Sequence, residues 1–205
     1  MANTPTVAPA VSSTVGLKNL VIAPMLTDTE AETTYGTLQR VAGAIEASIT
    51  PDNADPDVQY FDDAEGDVLY ADPELAFMTK LADLPLTIQE MIFGNKIDKN
   101  GVLVRTSTDK PGYFAVGFKS EKSNGKFRYI WLFKVRAKPV TENYATKEGK
   151  TITRQTGEVE WVAIKRISDN RYQLVADEDE NGFTAELAAT FLDSVYTPDF
   201  SESAG

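Results

Sequence analysis

The residues best spaced for chemistry lie towards the end of the chain. Asp177, Asp179 and Asn181 occupy the first, third and fifth positions of an EF-hand-like calcium loop, and Gly182 the sixth, where the sharp turn needs glycine. The pattern then breaks. The twelfth position, which should be a bidentate glutamate, is Ala188; Glu186 falls two residues early; and the preceding segment reads as strand instead of helix. Asp177, Asp179 and Asn181 are thus a weak calcium candidate. An acidic turn ahead of a helix, whose N-terminus favours Asp and Glu, accounts for the same residues.

Other chemistries are narrowed by two zeros: the 205 residues include no cysteine and no histidine. Disulfides, thiolate sites, Ser-His-Asp and Cys-His triads and nearly all zinc sites are excluded. Carboxylate pairs remain, and the acids between Asp52 and Glu74 are numerous enough to form one for glycoside hydrolysis. Such a site is defined by separation in space, and no spacing here selects a pair; a solvated acidic loop explains the run. Neither GxxxxGK[ST] nor GxGxxG is present. No catalytic residue and no cofactor is expected.

The stretch KFRYIWLFKVRAK, residues 126–138, alternates aromatic with basic and aliphatic residues. On a strand, Phe127, Tyr129, Trp131 and Phe133 share one face, opposite Lys126, Arg128, Ile130, Leu132 and Lys134. Aromatics among cations are what single-stranded nucleic-acid platforms use, but four aromatics on one side also build an ordinary sandwich core, and Ile130 and Leu132 interrupt the basic face.

The formal net charge of -11 opposes tight binding of nucleic acid. The charge is segregated: residues 1–100 carry 5 basic and 16 acidic groups, residues 101–170 carry 14 and 7, and residues 171–205 carry 1 and 8. Such blocks can complement one another between copies of one protein. No apolar run approaches the roughly 20 residues that span a bilayer. The start MANTPTVAPAVSSTVG has neither a basic leader nor an apolar stretch, so a soluble protein without membrane insertion or a cleaved export signal is expected.

The elements that must carry these residues are mostly strands. Residues 1–15, uncharged and broken by Pro5 and Pro9, read as a flexible arm. GLKNLVIAP reads as a strand ended by Pro24. In LQRVAGAIEASITPD, Val41, Ile45, Ala47 and Ile49 form one face of a strand stopped by Pro51, opposite Ala44, Glu46 and Ser48. Residues 52–72 hold seven Asp and one Glu around short apolar pieces and read as a hairpin or long loop. Leu75, Phe77, Thr79 and Leu81 alternate as a strand. Leu84, Ile88, Met91 and Ile92 then take helical spacing, with Pro85 near the start and Gly94 placed as the cap. VLVRT, YFAVGFKSE, KFRYIWLFKVRAK, KTITRQTGEVEWVAIKR and RYQLVAD follow as strands, with a Ser-Asn-Gly turn between the second and third. FTAELAATFLDSVY reads as a C-terminal helix. The expected fold is mainly β (α+β): a β-sandwich or partly open barrel with a central flanking helix and a C-terminal helix. It comprises one domain over residues 16–196 and a loose tail over 197–205.

The succession GLKNLVIAPM, YGTLQRVAGAIEASITPD, LYAD, LADLPLTIQEMIFG, YFAVGFKSEKSNGKFRYIWLFK and YATKEGK resembles the major tail proteins of long-tailed, siphovirus-type bacteriophages, over about residues 16–170. The resemblance implies a tail tube fold, with subunits in rings, usually hexameric, stacked into a hollow cylinder through which genome DNA leaves the capsid. It implies self-association, contact with the tape measure, tail terminator and distal tail proteins, a place in the virion tail after assembly in the host bacterial cytoplasm, and no active site. An acidic wall suits DNA that must slide without sticking. Glu46, Asp52, Asp55 and Asp57 are the candidates for the lumen or the ring contact. A receptor- or carbohydrate-binding β-sandwich is the alternative, and a carboxylate hydrolase a more distant one.

Overall fold

The computed structural model describes residues 12–52, 57–61, 64–69, 74–139 and 157–200, with backbone alone for 52, 57–61 and 64–69. Along the chain run β1 (Thr14–Asp28), β2 (Thr33–Tyr35), β3 (Gln39–Arg40), β4 (Ala44–Asp52), β5 (Asp57–Phe61), β6 (Ala64–Leu69), β7 (Glu74–Leu81) and α1 (Leu86–Phe93). There follow β8 (Lys96–Ile97), β9 (Leu103–Val104), β10 (Phe114–Lys122), β11 (Phe127–Ala137), β12 (Gly157–Ala163), β13 (Gln173–Asp177) and α2 (Ala185–Thr190). The protein is mainly β, as its sequence patterning implies, and among the described residues no helix is long and apolar enough to cross a membrane.

The main sheet is antiparallel, in the order β2-β1-β10-β11-β12-β7-β4, with β3 on β1 and β13 on β11. Between β3 and β4 the chain crosses its open side. Val41 N–H donates to Leu20 O of β1 at 2.8 Å, and Gly43 O accepts from Ala82 N just past β7 at 2.7 Å. Those few residues link the two ends of the strand order, so the sheet curls into an open sandwich around its inner face.

Inside the curl, Leu20, Ile22, Leu75, Phe77, Phe118, Leu132, Val159 and Trp161 meet Leu84, Ile88, Ile92 and Phe93 from around α1. Burying each large apolar side chain contributes about 1.5–3 kcal/mol. Trp161 also donates Nε1–H to Thr79 Oγ1 at 3.0 Å, which satisfies its one polar atom. Helix α1 ends where the sequence places its cap: Gly94 has φ 69° and its N–H donates to Glu90 O. A Cβ there would lie 2.6 Å from Lys110 O, so glycine is required both for conformation and for space.

Four expectations change. β1 does not end at Pro24 but runs on to Asp28, because Pro24 sits where the strand exchanges partners: Met25 N–H takes Tyr113 O, and Gly36 N–H takes Pro24 O. β4 likewise passes through Pro51, which an edge strand tolerates since its missing N–H can face away from the ladder. Within β4 a register shift between Ala44 and Glu46 turns Ile45 outwards, to 52 % exposure, and brings Ala44 with Ala47 and Ile49 against the core. VLVRT forms only the two-residue β9, paired with β8.

At the termini, Thr14 and Val15, read as the end of a flexible arm, already belong to β1, and Thr14 pairs with Lys122. The C-terminal helix is six residues long, and Phe191 and Leu192 pack as a turn after it. Its N-cap is Thr184, which accepts from Leu187 N.

Candidate assembly surfaces

The calcium-like residues are occupied by cations of the chain itself. Arg128 lies opposite Asp177 in register and donates Nη2–H to it at 2.6 Å, with Lys122 Nζ 3.3 Å away. Asp179 takes Lys122, Lys126 at 3.1 Å and the Asn124 amide at 3.0 Å. The Arg128 hydrogen bond holds the Asp177 carboxyl below the usual carboxylate range, and Lys122 does so for Asp179. Between these two, Glu178 accepts from Tyr129 OH at 2.8 Å and from Phe127 N at 2.9 Å. Burial, then Glu178, raises the Tyr129 pKa. Asn181 is exposed in the turn and Glu186 lies in the first turn of α2. The arrangement ties the 177–182 turn to the β10–β11 turn, and among the described residues no group of three or more acids converges as a metal site.

The four acids proposed for the lumen or ring contact separate. Glu46 is exposed on β4, with Lys80 Nζ of the neighbouring strand at 3.8 Å. Asp52 ends β4 opposite Glu74, and Asp57 opens β5 opposite Leu69. Asp55 lies outside the described residues. β4 is the last strand in the sheet order, and β5 and β6 form a two-stranded sheet of their own.

The aromatic face of β11 is no nucleic-acid platform. Tyr129, Trp131 and Phe133 are buried beneath Phe191 and Leu192, and Trp131 donates Nε1–H to Phe191 O at 3.1 Å. Gly117 lies opposite Trp131, where a Cβ would come within 2.8 Å of the indole ring. Phe127 is half-buried, with Lys119 Nζ 4.0 Å above its ring.

Two features escape sequence reasoning. One is a buried ionic network at the end of β1. Asp28 accepts from Lys134 Nζ at 2.6 Å, Thr33 Oγ1 at 2.9 Å and Ile167 N at 3.0 Å. Burial opposes its ionisation, yet these bonds outweigh burial and its pKa is lowered. Arg166 lies 4.0 Å from the Phe133 ring, pairs with Asp169 and reaches Tyr35 OH at 3.4 Å. Tyr35 donates to Phe133 O, and its own pKa is pushed up to about 12, chiefly by burial. The network pins the 164–172 loop to β1 and β2. Lys134, buried between the apolar neighbours Phe133 and Val135, is the signal that could have found it.

The other is an open groove of about 520 Å³ between β13 and the C-terminal segment, walled by Leu174, Ala176, Phe183, Leu187, Tyr196 and Phe200. Arg171 lies at its rim, 4.9 Å beneath the Phe200 ring. No protein-family model matches the chain, and no curated protein matches it. Among the described residues, the surfaces open to a functional reading include the edge strand β4, the β5–β6 hairpin and this groove.

Proposed function

We propose that the protein is a self-associating structural subunit, the tube-forming protein of a long bacteriophage tail, whose copies form hexameric rings stacked into a hollow conduit for genome DNA. The observation that carries this reading is the acidic hairpin β5–β6, which stands as a sheet apart from the main one. A two-stranded hairpin is at best marginally stable alone in water, and a neighbouring subunit would supply the missing surface. The segment 52–72 has eight acids and no base, whereas residues 101–170 carry twice as many bases as acids. Contact between the two in adjacent copies gives an interface weakened by salt. Acids on the lumen wall repel DNA and let it pass. In this reading the chain acts by assembly, not catalysis, and meets the tape measure, tail terminator and distal tail proteins in the virion tail.

The test is charge reversal of Glu46, Asp52 and Asp55 to Lys. Ring stacking or DNA delivery is expected to fail at low salt in the triple variant; particles that assemble and infect normally would contradict the assignment.

A carbohydrate- or receptor-binding module is the second reading, favoured by the aromatic side chains at the groove. Sugar recognition also needs hydrogen-bonding groups, and the groove's polar side chains are Arg171, Gln173 and the Tyr196 hydroxyl. A persistent monomer with measurable glycan affinity would favour it.

A further inference from the structure

We propose that the groove beside β13 is the docking site of the chain's own N-terminal arm, residues 1–11. The outer face of the sheet is incompletely covered. Leu174, Ala176, Phe183, Leu187 and Tyr196 reach its apolar cluster but stay half-exposed, and no residue of α2 is fully buried. β13 pairs with β11 alone among the described residues, which leaves its other edge open beside the groove. Phe200, 76 % exposed, is held over the opening by Arg171.

The position at which the described chain begins favours the arm. Ser13 O accepts from Ser123 N at 2.7 Å and Ser13 N donates to Ser123 Oγ at 3.2 Å, fixing the start of β1 at the β10–β11 turn. Asn124 of that turn bonds Asp179, just past the end of β13. From β1 across β10 and β11 to β13 is three strand spacings, about 14 Å, and the length of β13 adds roughly 17 Å. Eleven extended residues reach about 36 Å, enough for both. Residues 1–7 then lie along the groove and offer Met1, Ala2, Pro5 and Val7 to its apolar wall.

The composition fits as well. Residues 1–11 carry no charged side chain, so docking desolvates none, whereas the opposite terminus brings Glu202. Pro5 and Pro9 limit the entropy lost on docking. A shallow groove binds a free peptide weakly, but a tethered segment acts at an effective concentration on the order of millimolar.

The chain contains no cysteine, so cross-linking is unambiguous. In the full-length T6C/A176C variant, whose second cysteine lies on the groove wall, mild oxidation is expected to give an intramolecular disulfide, seen as a faster-migrating monomer on a non-reducing gel. L187E and, separately, F200A should lower its yield several-fold; F200A alters an exposed residue and leaves the fold intact. The control T6C/V104C should not cross-link. Absence of the T6C/A176C bond, a bond formed only between chains, equal reaction at V104C, or reaction of S203C/A176C in its place would each overturn the proposal. None of these readouts requires ring formation, so this proposal and the tail-tube reading fail separately.

Discussion

Strand β11 is buried on both faces, but the two faces are completed by different means. Ile130, Leu132 and Val135 look into the curl, where α1 and strands from both ends of the sheet order close around them. Tyr129, Trp131 and Phe133 look outwards; Tyr35, Leu38 and Arg166 cover one end, and residues 183–196 cover the rest and leave a groove at their side. The inner core is assembled from elements distant in sequence, so its loss unfolds the whole sheet. Most of the outer cover is one late segment, whose edge can lift or accept another chain without disturbing the curl.

That contrast orders the expected effects of substitution. Trp161→Ala in the inner core should cost about 3–5 kcal/mol of unfolding free energy, as read from urea denaturation, with Thr79 Oγ1 keeping only its bond to Val159 O. Lys134→Met, which leaves Asp28 buried without its cation, should cost about 3 kcal/mol. Gly117→Ala drives a methyl into the Trp131 ring and should cost about 1–3 kcal/mol. Leu187→Ala, at the half-open groove, should cost under about 1 kcal/mol, because little packed volume is lost. If Leu187→Ala proved as costly as Trp161→Ala, the two faces would be energetically alike and the contrast would be lost.

Acid sensitivity belongs to the ionic clusters. Asp28 and Asp177 have folded-state pKa values below their ordinary 3.8. Their contribution is therefore fully present above about pH 4 and is lost as the pH falls through the lower folded-state values. Asp28→Asn should flatten the acid limb of the stability curve relative to wild type, with little change in its slope between pH 5 and 7.

Much of this architecture was legible because burial imposes period. The alternation of Leu75, Phe77, Thr79 and Leu81 is the buried face of β7, and the spacing of Leu84, Ile88 and Ile92 is the buried side around α1. Sequence failed where a local rule met a tertiary exception. Pro24 and Pro51 are tolerated because their missing N–H groups fall where the ladder does not need them, and Ile45 turns outwards because a bulge resets the face. The calcium-like spacing of Asp177 and Asp179 gave no sign of Lys122 and Arg128, which approach from β10 and β11 some fifty residues earlier. Composition leaves residues 52–72 open between a hairpin and a long loop; that β5 and β6 pair as a sheet of their own follows from the strand pairing.

Self-assembly is tested most directly by negative-stain electron microscopy of the concentrated wild-type protein at low and high salt. Hollow rings or tubes of uniform diameter are expected at low salt, thinning out as salt screens the contact between acidic hairpin and basic block. A monodisperse monomer at every concentration and ionic strength would contradict it.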